Sequence, residues 1–388
     1  MSGFDDLLAA RGLSRRDFLK GCAALAALLG LGKGAVPDIA KALEAAAAKP
    51  PVIWVDWQEC LGCTESTIKT RYPDFVSTVL DVINLTYDEA VMAGAGTAAT
   101  KTLDTVATSQ KGKYVLVVEG SVATKIPSAM CVGGKTSVDM AKELIPGAAL
   151  VIAVGNCAAF GNVQAAYPNP SGAMGMLAFM QQEGMDTAKL IQLPTCPVNP
   201  VDLLGTITYF LTYKKVPPLD KWNRPTPFYG QLIHDNCERR AGFDNGHFVT
   251  ELGSSQISDG RCLYKMGCRG PNTYANCPQV LWNNRTSWCI GQGQCIGCSQ
   301  PGFWDNMSDF YSPMPGVAIP GFGRGVEVSA DTIGIGLAAL TGVGIVAHFA
   351  VTAAKGRLGK TGDDEIVEER SIDATPGEAT TAAGKEES

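Results

Sequence analysis

Short apolar runs punctuate the first half of the chain, at residues 52–55, 114–118, 149–154 and 189–193, with 82–87 a weaker candidate. They are continuous and rich in Val and Ile rather than alternating apolar with polar. That pattern predicts parallel strands buried on both faces. Helix-like stretches between them, such as 137–144, predict right-handed crossovers. Residues 49–225 are therefore expected to form an α/β domain, a doubly wound parallel sheet of flavodoxin-like order. Past Thr226 the pattern breaks down. Residues 226–330 hold many Gly, Pro, Asn and Cys and few periodic runs, so this second domain needs a staple other than a large core.

The two ends follow other rules. Thr332–Ala354 is apolar and holds no Asp, Glu, Lys or Arg. At about 1.5 Å per residue it spans a hydrocarbon layer of roughly 30 Å. Residues 331–355 are read as one transmembrane anchor rather than a buried helix. Lys355, Arg357 and Lys360 follow it and predict a cytoplasmic flank. His348 is the one ionisable group in the span, and Gly334, Gly336, Gly342 and Gly344 would let another helix approach. Residues 356–388 form an acidic tail expected to be disordered. At the other end, Ser14-Arg15-Arg16-Asp17-Phe18-Leu19-Lys20 precedes a short apolar run at 23–29. Residues 1–48 read as a twin-arginine (Tat) export signal, with Ala46-Ala47-Ala48 resembling its cleavage site. The body is then expected on the periplasmic side of the inner membrane, with the C-terminus in the cytoplasm.

Composition sharpens the chemistry. The 388 residues are 46% hydrophobic and 18% charged, with net charge -6, so the chain can build a core and lacks the basic balance of a nucleic-acid binder. Cysteine is plentiful at 13 and histidine scarce at 3. An odd count cannot pair completely, and spacings such as Cys60-x2-Cys63 and Cys295-x2-Cys298 suit metal better than bridges. Cys60, Cys63, Cys157 and Cys196 each lie just past the carboxyl end of an expected strand, the edge where open α/β sheets bind ligands. Four thiolates there would hold one iron–sulfur cluster, with zinc the competing metal. Gly62 and Gly155 would allow close backbone approach. Downstream, His234 stands three residues before Cys237, and Cys262 and Cys268 complete a second set. Cys277, Cys289, Cys295 and Cys298 form a third. Setting aside Cys22 and Cys131 as structural thiols leaves eleven cysteines, which with His234 make three sets of four. No acid–base triad, P-loop or nucleophile is evident.

The motifs in order are SRRDFLK, ECLGCTES, GNCAAFGNVQAA, LPTCPVNP, IHDNCERRAGFDNGHF, CLYKMGCRGPNTYANCP and CIGCSQPGFWD, then the apolar anchor. Over its whole length the chain resembles the small, electron-transferring subunit of membrane-bound nickel–iron hydrogenases. The resemblance implies a proximal cluster on Cys60, Cys63, Cys157 and Cys196. It implies a distal cluster on His234, Cys237, Cys262 and Cys268, and a medial one on Cys277, Cys295 and Cys298. It implies that the catalytic nickel–iron centre lies in an obligate large subunit, that electrons leave to a membrane cytochrome b and the quinone pool, and that the Tat translocase exports the complex. Oxygen-tolerant members carry two more cysteines, which would fall at Gly62 and Asn162; neither is Cys here, so an ordinary 4Fe–4S proximal cluster is expected. Leu61 departs from the commoner threonine, and Glu59 is a candidate for a proton path. Many members have proline where this chain has Cys289, and a medial 3Fe–4S cluster. A thiolate at 289 predicts that all three clusters are 4Fe–4S, the medial one being 3Fe–4S if Cys289 is not a ligand. Two other readings are a complex I-type cluster subunit, which lacks the two later clusters, signal and anchor, and a zinc-stapled structural protein.

Overall fold

The computed structural model describes residues 14–44, 50–70, 83–282, 289–306, 310–312, 317–318, 327–328 and 330–357. The proposed cleavage motif at 46–48, Trp288 and the tail beyond 357 lie outside the described residues. By its contacts the chain divides into two compact units, Met1–Met314 and Pro315–Ser388.

Five parallel strands make the main sheet of the first unit: β1 (Pro51–Asp56), β2 (Asn84–Tyr87), β3 (Val115–Glu119), β4 (Leu150–Val154) and β5 (Leu190–Leu193). Their order is β2-β1-β3-β4-β5, the doubly wound flavodoxin order expected from the apolar runs. Alternate residues serve two cores. Val52, Trp54, Val117, Ile152 and Leu193 pack on one face, while Ile53, Val55, Leu116, Val151 and Leu190 pack on the other. That is why the runs are continuous: period-two alternation is hidden when both faces are buried. Asp56, Glu119, Val154 and Leu193 stand in register at one edge. The segments that follow β1, β4 and β5 therefore emerge side by side.

The helices that shape this edge are α1 (Arg15–Leu28), α2 (Val36–Glu44), α3 (Gly62–Ile68), α4 (Thr97–Ser109), α5 (Ser137–Leu144), α6 (Gly155–Phe160), α7 (Met176–Gln182) and α8 (Pro200–Tyr213). Helix α5 starts with a capping box between Thr136 and Asp139. Residues 15–44, read from the sequence as part of a leader apart from the fold, are helical and docked: α2 packs on α8, and Leu29 joins the core at 4% exposure. Cys22 is buried with Ala26, Ile39 and Ala40. An apolar helix face covers the nearest apolar surface open to it.

The change of texture at residue 226 falls inside the first unit. Phe228, Ile233, Val249, Leu263, Cys277 and Ile290 continue the core begun by Val52 and Trp54. A strand-poor segment of this length cannot bury enough surface alone, so it closes onto the α/β part. Polar ties reinforce the seam. Buried Arg224 donates to the Ser299 carbonyl (3.1 Å) and pairs with Asp220 (2.8 Å), and Asn156 Nδ2 donates to the Cys298 carbonyl (2.8 Å).

In the second unit, Ala330–Ala354 (α9) is one unbroken helix. Its Thr332–Ala354 stretch is long and apolar enough to cross a membrane, and none of its most apolar window is buried against protein.

Candidate metal centres

Cys60 and Cys63 leave β1 in a tight turn. Leu61 takes a left-handed conformation (φ 59°) as the N-cap of α3, which turns both thiols back over the sheet edge. The exposed amides of α3 are satisfied from β3. Buried Glu119 accepts from the Cys63 N–H (2.9 Å), the Thr64 N–H (2.9 Å) and the Thr64 hydroxyl (2.7 Å). Cys157 lies in the first turn of α6 and Cys196 just past β5. Gly155 (φ +77°) makes the approach possible: a Cβ there would stand 2.5 Å from Cys63 Sγ.

Three of these thiols, Cys63, Cys157 and Cys196, respond to their neighbours. Burial pushes Cys63 well up and Cys157 to about 12, with the charges of neighbouring thiols adding to both. Cys196 is raised by burial and then by Cys60 and Glu119. Buried thiols crowded in this way ionise when a cation joins them. Protein donors already point at the sulfurs. The Val198 N–H donates to Cys63 Sγ (3.3 Å), and Asn162 Nδ2 to Cys157 Sγ (3.1 Å).

The second set lines one small pocket, where His234, Cys237, Cys262 and Cys268 stand beside Arg239, Leu263 and Ile290. His234 sits edge-on to Phe243 with centroids 4.5 Å apart. Burial and then Arg240 lower its pKa, favouring the neutral, ligating imidazole. Backbone amides of Arg239 and Gly270 donate to Cys237 Sγ (3.4 Å) and Cys268 Sγ (3.5 Å).

The third set gathers Cys277, at the start of a short helix, with Cys295 and Cys298. Burial pushes Cys277 and Cys295 well up and Cys298 to about 12. The charge of Cys289 raises all three further, and Cys289 is itself raised by burial and then by the charge of Cys268. Cys289 is an exposed residue that opens the short helix Cys289–Gln292.

Single hydrogen bonds join the sets. The Cys196 N–H donates to Cys298 Sγ (3.5 Å). The Arg269 N–H, beside Cys268, donates to the Cys295 carbonyl (2.8 Å). Cys131 is exposed and bonded only weakly to the Ser128 carbonyl, outside all three sets. No disulfide links the cysteines of the sets. Among the described residues, no three such side chains close on a sphere one ion could fill. Zinc–thiolate bonds of ~2.3 Å would require that closure. Sets of thiols with amide donors at their sulfurs fit an iron–sulfur cluster.

Carboxylates crowd the proximal edge. Glu59 hydrogen-bonds Glu119, and burial followed by the Glu119 charge raises it to about 8. Asp56 is raised to about 8 by burial, then by Asp88 and Glu119. The sequence motifs single out Glu59 alone. The signal for Glu119 is a lone charge ending an apolar strand at the ligand-binding edge.

Comparison with known proteins agrees with this geometry. The family model for the C-terminal part of the NiFe/NiFeSe hydrogenase small subunit matches residues 229–311, and that described as NADH ubiquinone oxidoreductase, 20 Kd subunit, matches residues 60–210. The uptake hydrogenase small subunit of Azotobacter vinelandii is 43% identical over 364 residues, 93% of this chain and 98% of that one. The quinone-reactive Ni/Fe-hydrogenase small chain of Wolinella succinogenes is 41% identical over 88% of this chain and 96% of its own. Among solved structures, the reduced, active Ni-Fe-Se hydrogenase from Desulfomicrobium baculatum is similar at a TM-score of 0.64 and 33% identity, covering 68% of this chain and 99% of that one. With a shared fold, matched cysteine-bearing segments and such identity over nearly its whole length, the chain belongs to the nickel–iron hydrogenase small-subunit family.

Proposed function

We propose that this chain is the electron-transfer subunit of a membrane-bound uptake hydrogenase. Cys60, Cys63, Cys157 and Cys196 would hold the proximal cluster, Cys277, Cys289, Cys295 and Cys298 the medial one, and His234, Cys237, Cys262 and Cys268 the distal one. When bound, the clusters supply three one-electron sites. The observation that carries this reading is the serial connection: the Cys196 amide bonds the Cys298 thiol, and the Arg269 amide beside Cys268 bonds the Cys295 carbonyl. The protein's own groups do the tuning, through desolvation and N–H donors at sulfur. A large nickel–iron subunit would cover the proximal edge, and Glu59 with Glu119 would hand protons across it. The later eight ligands and the 229–311 match favour this over a complex I-type subunit.

The twin arginines and the uncharged Thr332–Ala354 helix favour Tat export, a periplasmic body and a cytochrome b partner reached through the membrane. The test is to purify the full complex and a form truncated before Thr332. Under dihydrogen, the brown iron–sulfide absorbance of both should bleach. The truncated form should leave the membrane and lose quinone-linked turnover while dye-linked activity survives. A colourless, zinc-loaded chain would overturn the function, and membrane retention of the truncated form would overturn the anchor.

His234 gives a further expected result. His234→Cys should keep the distal cluster but lower its potential, since a thiolate adds negative charge that imidazole does not. His234→Ala should perturb the cluster more, because a ligand is lost. An unchanged distal spectrum in both variants would remove His234 from the ligand set.

A further inference from the structure

The helix that carries Cys157 ends in two successive left-handed residues, Gly161 (φ 98°) and Asn162 (φ 51°). They fold the chain back beneath the helix. Asn162 is thereby buried at 5% exposure, and its side-chain amide reaches two ligands of one set: Nδ2 lies 3.1 Å from Cys157 Sγ and 3.5 Å from Cys196 Sγ. Chemistry fixes which way the amide faces, because a thiolate accepts and does not donate.

The arrangement costs stability. Oδ1 of Asn162 is buried with no hydrogen-bond partner, so its desolvation goes uncompensated. Its left-handed backbone is one that Asn tolerates but that a glycine would adopt more readily. A side chain selected for packing alone would have no reason to bring an amide here. The feature that answers both costs is the donor at the sulfurs.

We propose that Asn162 is a positioning residue that raises the reduction potential of the proximal site by donating its amide to Cys157 and Cys196. This rests on the electron-transfer reading above. An electron added at that site increases the negative charge on the thiolates. A donor aimed at them therefore favours the reduced form. Gln164, three residues downstream of Gly161, lowers the Cys157 pKa in the same direction as Asn162. Gln164 also donates to the Gln58 carbonyl (3.1 Å), whereas Asn162 alone spans two ligands.

The experiment is a spectroscopically monitored redox titration of the complete complex, with the medial and distal clusters as internal references. Asn162→Gly keeps the backbone conformation and removes the donor. Asn162→Asp keeps the shape and replaces the donor with an acceptor. Both should retain full iron and lower the proximal potential alone, Asp further than Gly. For Asp, the reduced-to-oxidised ratio at a fixed potential should fall roughly tenfold, ~59 mV for one electron. An unmoved proximal potential in the iron-replete Gly variant would overturn the proposal, as would an equal shift of all three clusters. If Asp fails to assemble, Gly alone decides. A wild-type complex with no proximal iron signal would instead end the cluster reading itself.

Discussion

Cys289→Pro should make an oxidised, otherwise silent medial site show the sharp paramagnetic signal of a 3Fe–4S cluster. Three thiolates hold three irons, and the fourth corner needs a ligand of its own. Cys277, Cys295 and Cys298 supply three, and each feels the charge of Cys289. Cys289 is the first residue of the short helix Cys289–Gln292. Proline is well suited to the first turn of a helix, so the substitution removes the sulfur without breaking the local fold. The medial potential should rise above those of its neighbours, slowing electron exit. A full-strength 3Fe signal in undamaged wild-type protein would refute the fourth ligand. An unchanged, silent site in the proline variant would do the same.

Gly155→Ala should abolish the proximal cluster and leave the other two. The methyl group would sit 2.5 Å from Cys63 Sγ, well inside the ~3.5–4.0 Å of a normal contact. The backbone conformation (φ +77°) adds about 1–2 kcal/mol of strain for any L-residue. Nothing nearby can yield cheaply. Cys63 is fixed by its own amide on Glu119 and by the Val198 N–H on its sulfur. Iron analysis should show the loss of one cluster's share, and dihydrogen should no longer reduce the medial and distal sites. Full iron content with an unchanged proximal spectrum would count against this geometry.

Much of the architecture is written in local pattern. Runs such as Val115–Glu119 and Leu150–Val154 show as buried strands because both faces are apolar, and the cysteines after them inherit the sheet edge. Contacts between distant residues are not legible in that way. Glu119 caps a helix that begins 57 residues earlier in the chain, and no spacing rule links it to Cys63 and Thr64. Asp56 and Asp88 acquire their raised pKa values from burial in the folded chain, with the Asp88 and Glu119 charges adding at Asp56. Asn162 is marked in the sequence only as a position that lacks a cysteine, and its amide's reach to Cys157 and Cys196 appears only in the fold. The seam across residue 226 is hidden for a similar reason. Its polar ties, Arg224 to Ser299 and Asn156 to Cys298, join residues whose sequence neighbours give no hint of a partner.

That seam constrains the order of maturation. Cys277 and Cys295 are 6% and 3% exposed, and their surroundings are held shut from the α/β side. Asn156 grips the Cys298 and Gln300 carbonyls, and Asn199 the Leu281 carbonyl. A scaffold delivering iron and sulfide could not reach those two sulfurs in the closed chain. Delivery must come while the last third is still open, and closure then takes place around the cargo. An empty chain that closed would bring desolvated thiols together with no cation among them. Completion of the fold thus doubles as an inspection of its inorganic content.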